Sequence, residues 1–127
     1  MKMRPEQEQA FSQAAVQRFE DRMVTHLGKF FPEQCDALGE ADTRAAIREG
    51  IQRAAQYDII SERDVCKFTD LMFAFGRRFD EDSKLPWARQ VLADPAHPNA
   101  TVKTNRLYDA ALRHARQAAG RQSADRK

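Results

Sequence analysis

The densest group of side chains that could do chemistry is the acidic cluster Asp80-Glu81-Asp82. A calcium-binding EF-hand loop beginning at Asp80 would need oxygen ligands at its first, third and fifth positions, glycine at the sixth and glutamate at the twelfth. The fifth, sixth and twelfth positions hold Lys84, Leu85 and Val91 instead. The pattern excludes an EF-hand and predicts a solvated turn at the end of a helix.

Histidine and cysteine are the next candidates for chemistry. His26, His97 and His114 show no local metal-ligand spacing, and Cys35 and Cys66 do not form a C-x-x-C pair. A zinc site assembled from distant residues stays open as an alternative. The position of His26 beside an apolar helix residue favours a structural histidine.

The sequence offers no catalytic signature. Cys66 falls in an apolar helix, and apolar burial raises the pKa of a thiol and makes it unreactive. The five glycines are scattered, so there is no phosphate-binding glycine loop. We therefore expect a protein that is not an enzyme, with no cofactor, no catalytic residue and no bound metal.

A basic stretch near the end of the chain suggests a nucleic-acid interface as one alternative. Arg106, Arg113 and Arg116 could contact phosphates from a single helix. No aromatic side chains alternate with them as a stacking platform for bases, and the net charge is only +2. A solvated helix face is the favoured interpretation of these arginines.

Composition and length indicate one cytoplasmic domain. The chain has 127 residues, which fits a single core. Two cysteines are fewer than a secreted disulfide scaffold usually has, and no apolar run has signal-peptide or membrane-spanning length. We predict a helical domain over residues 1–119 and a flexible basic tail over 120–127.

Apolar residues recur at steps of three or four, which predicts an all-α fold without strands. We expect an irregular bundle of four main helices and one short helix, with a loop between the first and second. Gly50 within the second helix predicts close packing against a neighbour, and the third helix is apolar nearly all round, as expected of a central helix. The predicted bounds are about Pro5 to Phe31, Asp42 or Thr43 to Tyr57, Ser61 to Phe79, Pro86 to Ala93, and Asn99 or Thr101 to Ala119.

Two aromatic corners at helix ends are the candidates for binding another protein. Aromatic side chains are common anchors at protein interfaces, and they also close small cores. The candidate partner-binding residues are Phe30, Phe31, Phe79, Leu85 and Trp87. Self-association into a homodimer through the same side chains is an open alternative.

The stretch from Tyr57 to Ala88 carries a family resemblance. A tyrosine at a helix end is followed by an acidic cap, a helix of the form F-x-x-L-M-F-x-F-G, then F-D-x-D and L-P-W-A. This order resembles small helical proteins of Gram-negative bacteria that are encoded beside type VI secretion effectors and their adaptor chaperones. The positions concerned are Tyr57, Glu62, Asp64, Phe68 to Gly76, Phe79, Asp80, Asp82 and Leu85 to Ala88.

The resemblance spans about Phe19 to Ala88 and implies an effector co-chaperone. Such an adaptor would bind an effector chaperone, or the effector itself, and assist loading for type VI secretion. The same genomic setting makes an immunity protein that neutralises a toxin the alternative. The resemblance implies no active site, and it assigns no binding residues.

Overall fold

The computed structural model describes residues 12–125, with side chains described through residue 120, and within this range the chain is all-helical, as predicted. No helix in this range is long and apolar enough to cross a membrane. The elements are α1 (Gln13–Phe30), α2 (Pro32–Gln56), α3 (Glu62–Phe75), a 3-10 turn (Phe79–Glu81), α4 (Pro86–Ala93) and α5 (Ala100–Asp125).

Helix α1 follows the predicted apolar stripe. Its N-cap is Ser12, whose hydroxyl accepts a hydrogen bond from the amide of Ala15 at 3.2 Å. Phe19, Met23 and Leu27 point into the core and are almost completely buried. The predicted portion that precedes Ser12 lies outside the described residues.

The loop predicted between the first two helices is helical instead. Helix α2 begins at Pro32, so a single residue separates it from the end of α1. Its axis breaks at Gly39, where φ is +81°. Proline favours the first turn of a helix because its missing N–H would be unpaired there anyway. Glycine accepts the left-handed backbone at the break without a steric penalty. The glycine therefore marks a kink within α2, and the prediction of a loop there was wrong.

Gly50 is where α2 and α3 approach most closely, as its position in the sequence predicted. A methyl group at Gly50 would lie 2.6 Å from Oγ1 of Thr69 and 3.3 Å from Sδ of Met72. Real Cβ contacts essentially never come as close as the first of these distances. The absence of a side chain is what lets the two helices pack at this point.

Helix α3 is the central helix, as predicted, and packs against α1, α2 and α5. The hydroxyl of Ser61 caps it by accepting from the amide of Asp64 at 3.2 Å, and Val65, Phe68 and Met72 are almost completely buried. The helix ends at Phe75, four residues before the predicted end at Phe79, because Gly76 adopts a φ of +116°.

The turn after α3 is not solvated throughout, contrary to the prediction for Asp80. Asp80 is 3 % exposed and forms an ion pair with Arg53 of α2, itself 9 % exposed. The hydroxyl of Tyr57 donates to the second carboxylate oxygen of Asp80 at 2.6 Å. Burial, followed by this hydrogen bond, raises the pKa of Tyr57 to about 12. The three side chains tie the 3-10 turn to the end of α2.

The bounds of the last two helices largely match those predicted from the sequence. Helix α4 has the predicted bounds, Pro86–Ala93, and the side chain of Asn99 caps α5 by accepting from the amide of Val102 at 2.9 Å. Helix α5 continues to Asp125, past the predicted end at Ala119. The flexible tail predicted from residue 120 is therefore not confirmed.

Candidate functional site

The five predicted anchor residues do not form one surface. Phe30 is 59 % exposed and Phe31 is half-buried, whereas Phe79 and Leu85 are core residues at 0 % and 8 % exposure. Trp87 is half-buried over the same core. Burial leaves Phe79 and Leu85 no surface to offer to a partner in this fold.

Trp87 closes one end of the core. Its ring lies 5.3 Å from that of Phe75, 6.4 Å from that of Phe79 and 5.7 Å from that of His114, measured between centroids. The buried indole nitrogen has no hydrogen-bond partner among the described residues. These contacts assign most of the indole to packing.

An open apolar groove lies on the other side of Phe75, between the end of α1 and the middle of α5. Its volume is about 320 Å³. Side chains of α3 form the floor, and the small residues Ala74, Ala111 and Ala115 leave the space. We call this feature the α1–α5 groove; it is lined by His26, Phe30, Phe31, Asp70, Leu71, Ala74, Phe75, Tyr108, Ala111, Leu112 and Ala115.

Two of the three large hydrophobic side chains exposed in the described part of the chain belong to this groove. Phe30 is 59 % exposed on the α1 side, and Leu112 is 41 % exposed on the α5 side. The third, Ile60, lies outside the groove at 46 % exposure. Apolar side chains concentrated around a groove are typical of an interaction site, whereas a single exposed one is ordinary.

Positive charge flanks the groove. The ammonium group of Lys29 lies 5.5 Å from the ring centroid of Phe30, over the ring face. Arg116 is exposed one helical turn beyond Leu112. Among residues 12–120 neither cation takes part in an ion pair. Both are available to an acidic partner.

Two lining residues of the groove, His26 and Asp70, form a polar cluster with Cys66. Nε2 of His26 lies 2.8 Å from a carboxylate oxygen of Asp70 and 3.9 Å from the sulfur of Cys66. Burial, and secondarily the charge of Asp70, raises the pKa of Cys66 to about 11. Burial also raises the pKa of Asp70, although its hydrogen bond with His26 opposes the shift.

The cluster is not arranged as a nucleophilic triad. In a triad the carboxylate and the nucleophile bind opposite ring nitrogens of histidine. Here Asp70 and Cys66 both face Nε2 of His26, and the raised pKa keeps Cys66 as a thiol. The sequence indicated a structural role for His26 and an unreactive Cys66. It did not predict that the two meet, since 40 positions separate them.

The three arginines proposed for nucleic acid are exposed on α5, but they are not equivalent. A guanidinium nitrogen of Arg106 donates to Nδ1 of His97 at 2.8 Å, and Nε2 of that ring donates to the carbonyl of Val91 at 2.7 Å. Arg106 is thereby tied to the end of α4. Arg113 and Arg116 keep their charges free of ion pairs within residues 12–120.

Comparison with known proteins identifies no family for this chain. No protein-family model, no curated protein and no solved structure matches it. The α1–α5 groove and the flanking charges are therefore the observations from which a function can be argued.

Proposed function

We propose that this protein is a non-enzymatic protein-interaction module that binds an amphipathic helix of its partner in the α1–α5 groove. The observation that carries the proposal is the open apolar groove with Phe30 and Leu112 exposed on its two sides. In this proposal residues 1–119 form one domain, an irregular bundle of helices, and the groove is its working surface.

Apolar burial supplies the affinity. A helix laid in a groove places side chains at positions i, i+3 or i+4, and i+7 against the walls. Covering the exposed parts of Phe30 and Leu112 contributes roughly 1 kcal/mol each at the usual free energy per buried area. Phe31 and Phe75 add half-buried aromatic surface beneath them.

Charge determines which helix fits. Lys29 and Arg116 stand beside Phe30 and Leu112, so a partner helix with acidic residues beside its apolar face is favoured over a basic one. Exposed charges of this kind act mainly on the rate of association and on specificity. Association should slow as salt is added.

The resemblance of Phe19 to Ala88 supports a more specific form of the proposal. In that form the protein is a cytoplasmic co-chaperone whose partner is a type VI effector chaperone or the effector itself, and it assists loading. Tyr57 and Asp80, two residues of the resembling pattern, belong to the buried network described above. Their role here is to hold the fold that presents the groove.

Capture from the native host tests the proposal with a matched pair of variants. Tagged wild-type protein, Leu112→Glu and Ile60→Glu are purified under the same conditions, and the bound proteins are identified by mass spectrometry. Ile60→Glu adds the same charge at a similarly exposed apolar residue outside the groove. We expect the wild type and Ile60→Glu to retain a stoichiometric partner, and Leu112→Glu to lose at least about tenfold of it.

The identity of the captured material separates the alternatives. An effector or its chaperone supports the co-chaperone function, whereas a toxin whose activity is blocked at 1:1 stoichiometry would make the protein an immunity protein. Capture that nuclease abolishes and that depends on Arg106, Arg113 and Arg116 would show nucleic-acid binding. Recovery of the tagged chain alone, as a dimer that Leu112→Glu dissociates, would make a second copy the occupant and overturn the proposal.

A further inference from the structure

The His26–Cys66–Asp70 cluster brings three different metal-ligating atoms to one point. Cys66 and Asp70 are four residues apart on α3, so their side chains lie on the same face of that helix. His26 reaches them from α1. One nitrogen, one sulfur and one oxygen thus lie within 4.8 Å of one another. No local sequence motif predicts this arrangement.

The spacing of these atoms is close to that of a tetrahedral zinc centre. Bonds of about 2.0 to 2.3 Å at tetrahedral angles place neighbouring ligand atoms roughly 3.3 to 3.6 Å apart. The observed separations from Nε2 of His26 are 2.8 Å to Asp70 and 3.9 Å to Cys66. The third separation, from the sulfur of Cys66 to a carboxylate oxygen of Asp70, is within 4.8 Å. A metal ion would replace the His26–Asp70 hydrogen bond, widen that contact and draw the sulfur inward.

The surroundings favour a site with an open coordination position. His26 and Asp70 line the α1–α5 groove, which gives an ion a path from solvent. The ring of Phe30 packs against that of His26 with centroids 4.9 Å apart, which limits how far the imidazole can turn. Three protein ligands leave the fourth position for water or for a group supplied through the groove.

We propose that His26, Cys66 and Asp70 bind a divalent transition-metal ion, with Zn²⁺ as the ion that this ligand set fits best. Imidazole and thiolate together suit zinc, and neither suits Mg²⁺ or Ca²⁺, which take oxygen ligands. On binding, the S–H bond of Cys66 breaks, its electron pair forms the bond from sulfur to zinc, and the proton leaves to solvent. No oxidation or reduction is involved.

Cobalt is the probe for the test because Co²⁺ occupies zinc sites and a thiolate ligand gives it a near-ultraviolet charge-transfer absorption. Purified, metal-free chain is titrated with CoCl₂ and then with ZnCl₂. We expect one Co²⁺ per chain with the thiolate absorption, about one proton released per ion bound, and loss of the absorption when zinc displaces cobalt.

Cysteine variants make the test specific. Cys35→Ser removes the other thiol and should leave the cobalt spectrum unchanged, whereas Cys66→Ser should abolish the thiolate absorption. His26→Gln should weaken binding by at least about 100-fold, more than the loss of an outer-shell partner does. Circular dichroism establishes that each variant is folded. Ile60→Glu, at an exposed residue outside the groove, should bind cobalt as the wild type does. The titration uses the purified chain alone, so the result does not depend on the proposed partner.

The proposal is overturned by either of two results. One is a folded wild-type chain that shows no thiolate-to-cobalt absorption at a several-fold excess of Co²⁺. The other is an absorption that Cys35→Ser abolishes and Cys66→Ser retains. Either result would leave the His26–Asp70 contact as a hydrogen bond between packed helices.

Discussion

Removing the carboxylate of Asp80 should destabilise the fold more than any other change to a charged side chain in its turn. Asp80 and Arg53 have side chains only 1 % and 11 % exposed, and Asp80 also accepts from Tyr57. Asp80→Ala leaves a buried guanidinium with Glu81 at 3.8 Å as its nearest carboxylate, and a half-buried hydroxyl without its acceptor. Breaking a buried pair in this way costs about 3 to 5 kcal/mol.

The assay is urea unfolding followed by far-ultraviolet circular dichroism, with the free energy of unfolding extrapolated to water. We expect a loss of about 4 kcal/mol and a melting temperature lower by roughly 15 °C. Glu81→Ala is the control because Glu81 is the next residue in the same turn and its side chain is 47 % exposed. It should cost at most about 1 kcal/mol.

A double replacement distinguishes the loss of the Arg53–Asp80 ion pair from the effect of any substitution at position 80. Arg53→Met together with Asp80→Leu removes both charges and keeps apolar volume, so it should recover most of the stability lost in Asp80→Ala. A difference of less than about 1 kcal/mol between the losses in Asp80→Ala and Glu81→Ala would contradict a buried ion pair at Asp80. That result would mean that water reaches the network and screens it.

Three further predictions use the same purified protein. Gly50→Ala should lower the free energy of unfolding by about 1 to 2 kcal/mol because the added methyl group overpacks the contact between α2 and α3. Gly28→Ala, which has open space around it, should raise the free energy of unfolding by up to about 1 kcal/mol because alanine is the better helix former. Urea unfolding measures both. Because the pKa of Tyr57 is raised to about 12, its contribution to stability should be complete below about pH 10 and lost between there and pH 12. An alkaline melting series with Tyr57→Phe as reference checks the sign, and a loss already present near neutral pH would contradict it. In a Cys35→Ser background, Cys66 is the only thiol left to alkylate. Near pH 8 it should react roughly 100-fold more slowly in the folded metal-free chain than in the unfolded chain, because its pKa of about 11 depletes the thiolate. Equal rates would contradict the burial of Cys66.

Features fixed by neighbouring residues could be predicted from the sequence. The bounds of α4, the start of α3 at Ser61 and the central position of α3 all depend on signals within their own segments. The close approach at Gly50 was predicted because a glycine inside a helix loses stability unless packing compensates. The same kind of local signal gave the wrong prediction at Gly39. A glycine among acidic residues is compatible both with a loop and with a kinked helix, and the structure has the kinked helix.

The candidate site could not be predicted from local sequence signals because its residues come from distant segments of the chain. Asp80 looked like a solvated acid since its partner Arg53 is 27 positions away. His26 and Asp70 are 44 positions apart, and nothing in either segment indicates the other. Phe30 and Phe31 were predicted as partner-binding residues, but Leu112 across the groove was not, because the apolar face of α5 reads as core until its neighbours are known.

The single-residue connection at Phe31 limits how this protein can change in evolution. Its ring packs against Phe73 with centroids 5.8 Å apart, so the same residue joins α1 to α2 and forms part of the groove wall. An inserted residue there costs little in chain entropy, yet it would detach Phe31 from the wall. Relatives that keep the groove should therefore vary in length elsewhere, above all in the stretch 94–99 between α4 and α5, and should keep this junction at one residue.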